Sequence, residues 1–166
     1  MIRHGVAAAA FVLAAAPLPG QSVASRVDAV RNGTVELVFP SRPDVCGDGH
    51  GSIWTTGHGN YQSSRPCIHG PVRVTLARDD ARVISVHSCV ACPSRDAAAA
   101  TTIDAGADEA ARYLLGLSRT LSGSSAEHAV SAAAFADAND LSPEFVALVR
   151  DDGATTPARK AALFWL

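Results

Sequence analysis

Val72-Arg73-Val74-Thr75-Leu76, followed beyond Asp79-Asp80 by residues 82–87, decides the fold class of the first half of the chain. Val72, Val74 and Leu76 alternate with Arg73 and Thr75, and Ile84 and Val86 repeat the theme on one face. A period of two gives a strand one apolar and one polar face, the pattern of half-buried antiparallel sheet. Asp79-Asp80 is the expected hairpin turn. Upstream, Thr34-Val35-Glu36-Leu37-Val38-Phe39 places Val35, Leu37 and Phe39 together. Asn32-Gly33 is a stronger turn signal, since type I′ turns need positive φ at both central residues. It predicts that residues 26–31 pair with the strand at Thr34. A Gly-rich segment, residues 40–71, separates these strands and is long enough to be functional or cross-linked.

After Pro93 the pattern changes. Residues 94–106, with their run of alanines and Thr101-Thr102, read as a linker. Ala110, Leu114, Leu117 and Leu121 then recur at helical spacing. Ser124 and Glu127 form a capping box, in which each side chain bonds the other's backbone amide. Ser142-Pro143 and Thr156-Pro157 each place proline at a helix start, where its missing N–H is not needed. Phe145, Leu148 and Val149 share a face. An offset of 32 lays residues 113–117 on 145–149 and residues 126–130 on 158–162. Self-similarity at such a period marks helical solenoids. The expected fold is therefore α+β: a small N-terminal antiparallel β unit at 25–93, then an all-α array of helical hairpins at 107–166.

Ala147-Leu148-Val149-Arg150-Asp151-Asp152, followed by Thr156-Pro157-Ala158-Arg159-Lys160-Ala161-Ala162-Leu163, resembles a short HEAT-type repeat. Taken with Val45-Cys46-Gly47-Asp48-Gly49, Gly70-Pro71-Val72-Arg73-Val74 and Ala162-Leu163-Phe164-Trp165-Leu166, the chain is similar to exported bacterial HEAT-repeat-like proteins. The resemblance covers roughly residues 109–166. It implies a scaffold that presents a surface to a protein partner, and no catalytic residues. The apolar ending Phe164-Trp165-Leu166 falls where another repeat would begin, so either the final helix folds back onto the sheet or the array is truncated.

The first residues supply an address. Arg3 precedes eleven residues, 6–16, without one polar side chain; Pro17 and Pro19 break the run, and Ser22-Val23-Ala24 offers small residues for cleavage. This is the order of a secretory signal peptide, here residues 1–24, with Gly20 as a second cut. Eleven residues fall short of the roughly 20 that span a bilayer, so no membrane span is expected after cleavage. Arg3 leaves with the signal, so 13 basic residues stand against 16 acidic ones, a net charge of −3. Mild acidity argues against nucleic acid as a partner.

An exported, periplasmic or extracellular chain meets an oxidising compartment, so its four cysteines read first as two disulfides. Three connectivities are open. The favoured one joins Cys46 to Cys67, closing the Gly-rich loop, and Cys89 to Cys92. A bridge over about 20 residues contributes roughly 3 kcal/mol by restricting the unfolded chain. The sharper reading of Cys89-Val90-Ala91-Cys92 is a redox or metal motif, since Cys-x-x-Cys lowers thiol pKa where it opens a helix. Haem attachment would need histidine where Pro93 stands. His50, His58 and His69 share the loop with Cys46, Asp48 and Cys67, and His87 precedes the cysteine motif. These four histidines are candidate metal ligands, although their spacing matches no common zinc pattern. Trp54 and Tyr61 are candidate anchors for a partner. No nucleophile elbow or phosphate-binding glycine motif is present, and Asp104, Asp108 and Glu109 read as dipole partners at a helix start. The leading expectation is an exported, non-enzymatic scaffold without a cofactor. The alternative is a periplasmic thiol–disulfide or metal-binding protein using Cys89 and Cys92.

Overall fold

The alternating stretch forms the hairpin that its pattern predicts, β4 (Val72–Asp79) against β5 (Arg82–Val90). Asp80 and Ala81 turn it, both at positive φ (46° and 61°), as a type I′ connection requires. A register shift between Ala77 and Arg78 interrupts the pairing, so Val86 is buried while Ile84 is exposed.

The computed structural model describes residues 20–56, 66–96 and 98–166. The apolar stretch 6–16, His58 and Tyr61 lie outside the described residues. The remaining elements are α1 (Val23–Asp28), β1 (Gly33–Phe39), β2 (Val45–Gly47), β3 (Ile53–Thr55), β6 (Thr101–Asp104), α2 (Ala107–Ser118), α3 (Gly123–Ala134), α4 (Ser142–Val149) and α5 (Thr156–Phe164). The main sheet runs β5-β4-β1-β6, and β2 and β3 pair separately.

The protein is α+β, but the predicted arrangement needs three corrections. The sheet is mixed, not antiparallel: β1 is antiparallel to β4 and parallel to β6. Nor are the strands confined to the N-terminal part, because β6 lies in the stretch read as a linker. Ile103 gives that strand its reason, 2% exposed beside Leu37 on β1. The second correction concerns residues 26–31, which do not pair as a strand. Val23 and Val27, four apart, are both buried on one side of α1, the spacing of a helix rather than of a strand.

The third correction removes the HEAT-type array. Val35, Leu37 and Phe39 on β1 align with Leu76, Val74 and Val72 on β4, giving one apolar sheet face. Two of the helices pack against the sheet, α2 on β1 and α3 on β5, α4 and α5 pack in turn on α2 and α3, and all share a single buried cluster. Solenoid units bury their apolar faces against neighbouring units alone; here the sheet covers one side of α2 and α3. The paired elements are also unequal, with α2 and α3 twelve residues each, α4 eight and α5 nine. Alanine suits α3 to this crowded position: Ala126, Ala129, Ala132 and Ala133 are all fully buried. The capping box is absent too. α3 starts at Gly123 (φ 58°) after Ser122, without a side-chain cap.

α1 is tied to the rest by its first turn. Ser22 accepts from the Ser25 amide, and the Glu109 carboxylate on α2 accepts from the Val23 amide at 2.6 Å. The cleavage position after Ala24 falls inside this helix, and the one after Gly20 precedes it. A chain beginning at Ser25 loses the cap, worth about 1 kcal/mol, and the buried Val23, worth about 1.5–3 kcal/mol. It should unfold at lower urea concentration than a chain beginning at Gln21. Equal midpoints would show that α1 is not part of the fold.

Candidate functional site

The sheet face away from the helices is polar. Glu36, Thr75 and His87 stand in one cross-strand row, and Arg73 and Cys89 in the next. β5 and β6 occupy opposite edges, so the connecting chain must cross the sheet. Its first part, residues 93–96, does so over this polar face. Glu36 receives it. Although only 2% exposed, its carboxylate accepts from Arg73 Nη1 at 3.0 Å, Ser94 Oγ at 3.2 Å and the Arg95 amide at 3.4 Å. Arg73 Nε in turn donates to the Cys92 carbonyl at 2.9 Å, and Arg95 Nε to Thr75 Oγ1 at 3.2 Å. A buried carboxylate persists when paired and fully hydrogen-bonded, and these donors meet that condition.

The four cysteines fall into two pairs within disulfide reach. Cys46 and Cys67 have Cα atoms 5.3 Å apart, and Cys89 and Cys92 5.9 Å, both inside the usual range. Their settings differ. Cys46 is fully buried in β2 while Cys67 is exposed, and the Gly47–Ile68 bridge brings the chain near Cys67 back beside β2. Cys89 and Cys92 are half-buried and line an open cleft of about 350 Å³ together with His50, Arg73, His87 and Arg95. The loop between them turns at Ala91, φ 56°. Two glycines allow its close packing: a Cβ on Gly47 would lie 2.7 Å from the Val90 carbonyl oxygen, and one on Gly70 2.9 Å from the Ala91 Cβ.

The structure separates the histidines. His50 reaches the cleft through a tight turn in which Asp48 Oδ1 accepts from the His50 and Ser52 amides at 2.8 and 3.0 Å. The His50 amide, then the Ser52 hydroxyl and the Ser52 amide, hold the Asp48 carboxyl down at about 2. His69 is elsewhere: its Nδ1 donates to the Val45 carbonyl at 3.1 Å and its Nε2 lies 3.7 Å from Cys67 Sγ. Among the described residues no three His, Cys, Asp or Glu side chains converge as a metal-binding group. Trp54 sits opposite Cys46 on β3. The acids are occupied structurally, Glu109 on α1 and Asp108 on Asn139 and Arg112, while the Asp104 backbone carbonyl accepts from Arg26.

Sequence reading missed Glu36, Arg73, Ser94, Arg95 and His128. One signal was available for the first: a glutamate inside Val35-Glu36-Leu37-Val38 needs a cationic partner if that strand is covered on both sides, and Arg73 has matching alternation. No family model, curated protein or solved structure matches the chain. No helix among the described residues is long and apolar enough to cross a membrane.

Two outcomes follow. Glu36→Ala strands Arg73 and frees residues 94–95, and should cost about 3–5 kcal/mol; replacing Glu36 and Arg73 together by leucine and methionine should recover most of that loss. Urea titration of the set checks this, and an additive double variant would refute the coupling. For Asp48 the folded value lies below the ordinary 3.8, so its stabilisation of the turn is present above pH 3.8 and lost as pH falls towards 2. In Asp48→Asn the His50 amide should exchange faster at neutral pH; unchanged exchange would contradict the turn's dependence on that carboxylate.

Proposed function

We propose that this is an exported thiol–disulfide protein in which Cys89 and Cys92 are the working pair and Cys46–Cys67 is a staple. The observation that carries the reading is the setting of Cys89 and Cys92, both half-buried on an open cleft beside Arg73, Arg95 and two histidines, whereas Cys46 is fully buried and its exposed partner Cys67 lies beside His69. Thiolate is the reactive form of cysteine, and neighbouring cations favour it. The N-terminal pattern of residues 1–24 and two cysteine pairs at disulfide distance support export, with cleavage after Gly20 leaving α1 whole.

The exchange balances simply. In the reduced protein one thiolate of the pair attacks a partner's disulfide, forming a mixed disulfide and releasing one partner thiolate. The second cysteine attacks the mixed disulfide, closes Cys89–Cys92 and releases the other partner thiolate. Two electrons pass from the pair to the partner. The mixed disulfide needs a partner that enters an open cleft, as an exposed protein or peptide disulfide does.

Glutathione buffers of graded potential, followed by alkylation and mass mapping, test the reading. Cys89–Cys92 should reduce in roughly the −180 to −270 mV range of exchange proteins, and Cys46–Cys67 only below about −300 mV. In a reduced chain, Cys89→Ser and Cys92→Ser should differ in their rate of attack on glutathione disulfide, identifying the attacking sulfur. If both pairs resist reduction to about −300 mV, Cys89–Cys92 is a second staple and the proposal fails.

A further inference from the structure

A second cleft, about 400 Å³, lies beside the first at the outer edge of β5, lined by His87, Ser88, His128 and Ser131 among others. His87 belongs to the edge strand and His128 to α3, which packs on it. Their ring centroids are 5.6 Å apart with planes tilted by 51°. His128 Nδ1 lies 2.9 Å from the Val86 carbonyl oxygen. A carbonyl only accepts, so that nitrogen carries the proton and Nε2 keeps its lone pair.

We infer that His87 and His128 form a two-histidine site for a borderline divalent cation of the Zn²⁺ type. Imidazole nitrogens suit this class of metal. With metal–nitrogen distances of about 2.0–2.1 Å, two imidazoles on one tetrahedral cation hold their ring centroids roughly 5–6 Å apart, which is the spacing found. Histidines that bind metal through one nitrogen commonly donate the other N–H to a backbone carbonyl, which fixes the tautomer and raises ligand basicity; Val86 does this for His128. No third His, Cys, Asp or Glu joins them among the described residues, so water or a hydroxyl in the cleft completes the coordination. The cation would bridge α3 and β5 and needs neither Cys89 nor Cys92 as a ligand, although His87 also lines the cleft on which those cysteines open.

Zn²⁺ titration of the oxidised chain, followed by calorimetry and by NMR of the imidazole nitrogens, tests this with every thiol blocked in a disulfide. One equivalent should bind, shifting His87 and His128 Nε2 while the Val86-bonded Nδ1–H persists. His87→Ala, at an exposed position that leaves the core untouched, should weaken binding about tenfold or more. His128→Ala should do the same, and His50→Ala and His69→Ala should leave affinity unchanged. Unaltered affinity in His87→Ala, shifts confined to other histidines, or no binding at millimolar Zn²⁺ would each overturn the inference.

Discussion

A carboxylate buried under a connecting segment sets the conditions for the polar half of this molecule. Glu36 lies in the middle of β1, covered on one side by the apolar core and on the other by residues 94–95. A charge so placed is tolerated only when donors surround it. Arg73 comes from the adjacent strand, Ser94 and the Arg95 amide from the segment that has just left Cys92. These bonds hold the chain against the sheet as it leaves β5 on one edge, on its way to β6 on the other. β6 then adds parallel to β1, and α2 follows it onto the apolar face. The mixed topology and the position of the cysteine cleft both depend on where that segment lies.

This explains which parts of the fold were legible from the residues. The β4–β5 hairpin was, because its information is local: alternation on either side of a turn. Its turn sits one residue later than the sequence suggests, at Asp80-Ala81, because Asp79 still pairs with Arg82. β6 was not legible, since Thr101-Thr102-Ile103-Asp104 is too short to show a period and owes its existence to Leu37 and the crossing segment. α1 was obscured by competing signals: Ser22-Val23-Ala24 satisfies a cleavage rule and also begins a helix. Of the three cysteine connectivities open in the sequence, the favoured one coincides with the two pairs that stand at disulfide distance. The contrast between the two cysteine environments was not legible, because it depends on which face of β5 meets water.

The helical half misled for a physical reason. Leucine and alanine at helical spacing say that a helix has a buried side, and nothing about what buries it. Two hairpins with similar sequence fit a solenoid or a layer on a sheet equally well. The sheet wins here because its apolar face, from Val35 to Val90, must be covered, and α2 and α3 cover it. Arg112 to Glu144 and Arg119 to Asp151 then tie α2 and its C-terminal end to α4 and the turn beyond it. Such exposed pairs fix orientation more than they stabilise.

The position of Cys89 constrains how its chemistry is tuned under the proposed exchange. Where Cys-x-x-Cys opens a helix, the helix terminus favours thiolate. Here Cys89 is the next-to-last residue of β5, and residues 92–96 form no helix, so neither cysteine opens one. Stabilisation falls to the guanidinium groups in the cleft. Arg73 is shared: it pairs with Glu36, and its Nε is spent on the Cys92 carbonyl. Part of its charge is therefore cancelled before a thiolate forms. Among the described residues no carboxylate stands within ion-pairing distance of Arg95, whose Nε goes to a hydroxyl, so it is the cation with the greater charge left to give. Glu36 thus acts in opposition: it holds the segment that brings Cys92 and Arg95 into place, and it draws away part of the positive charge that would make the thiols of Cys89 and Cys92 most reactive. A pair governed this way should be a moderate exchanger rather than a strong oxidant, because strong oxidants owe their potential to a heavily stabilised thiolate.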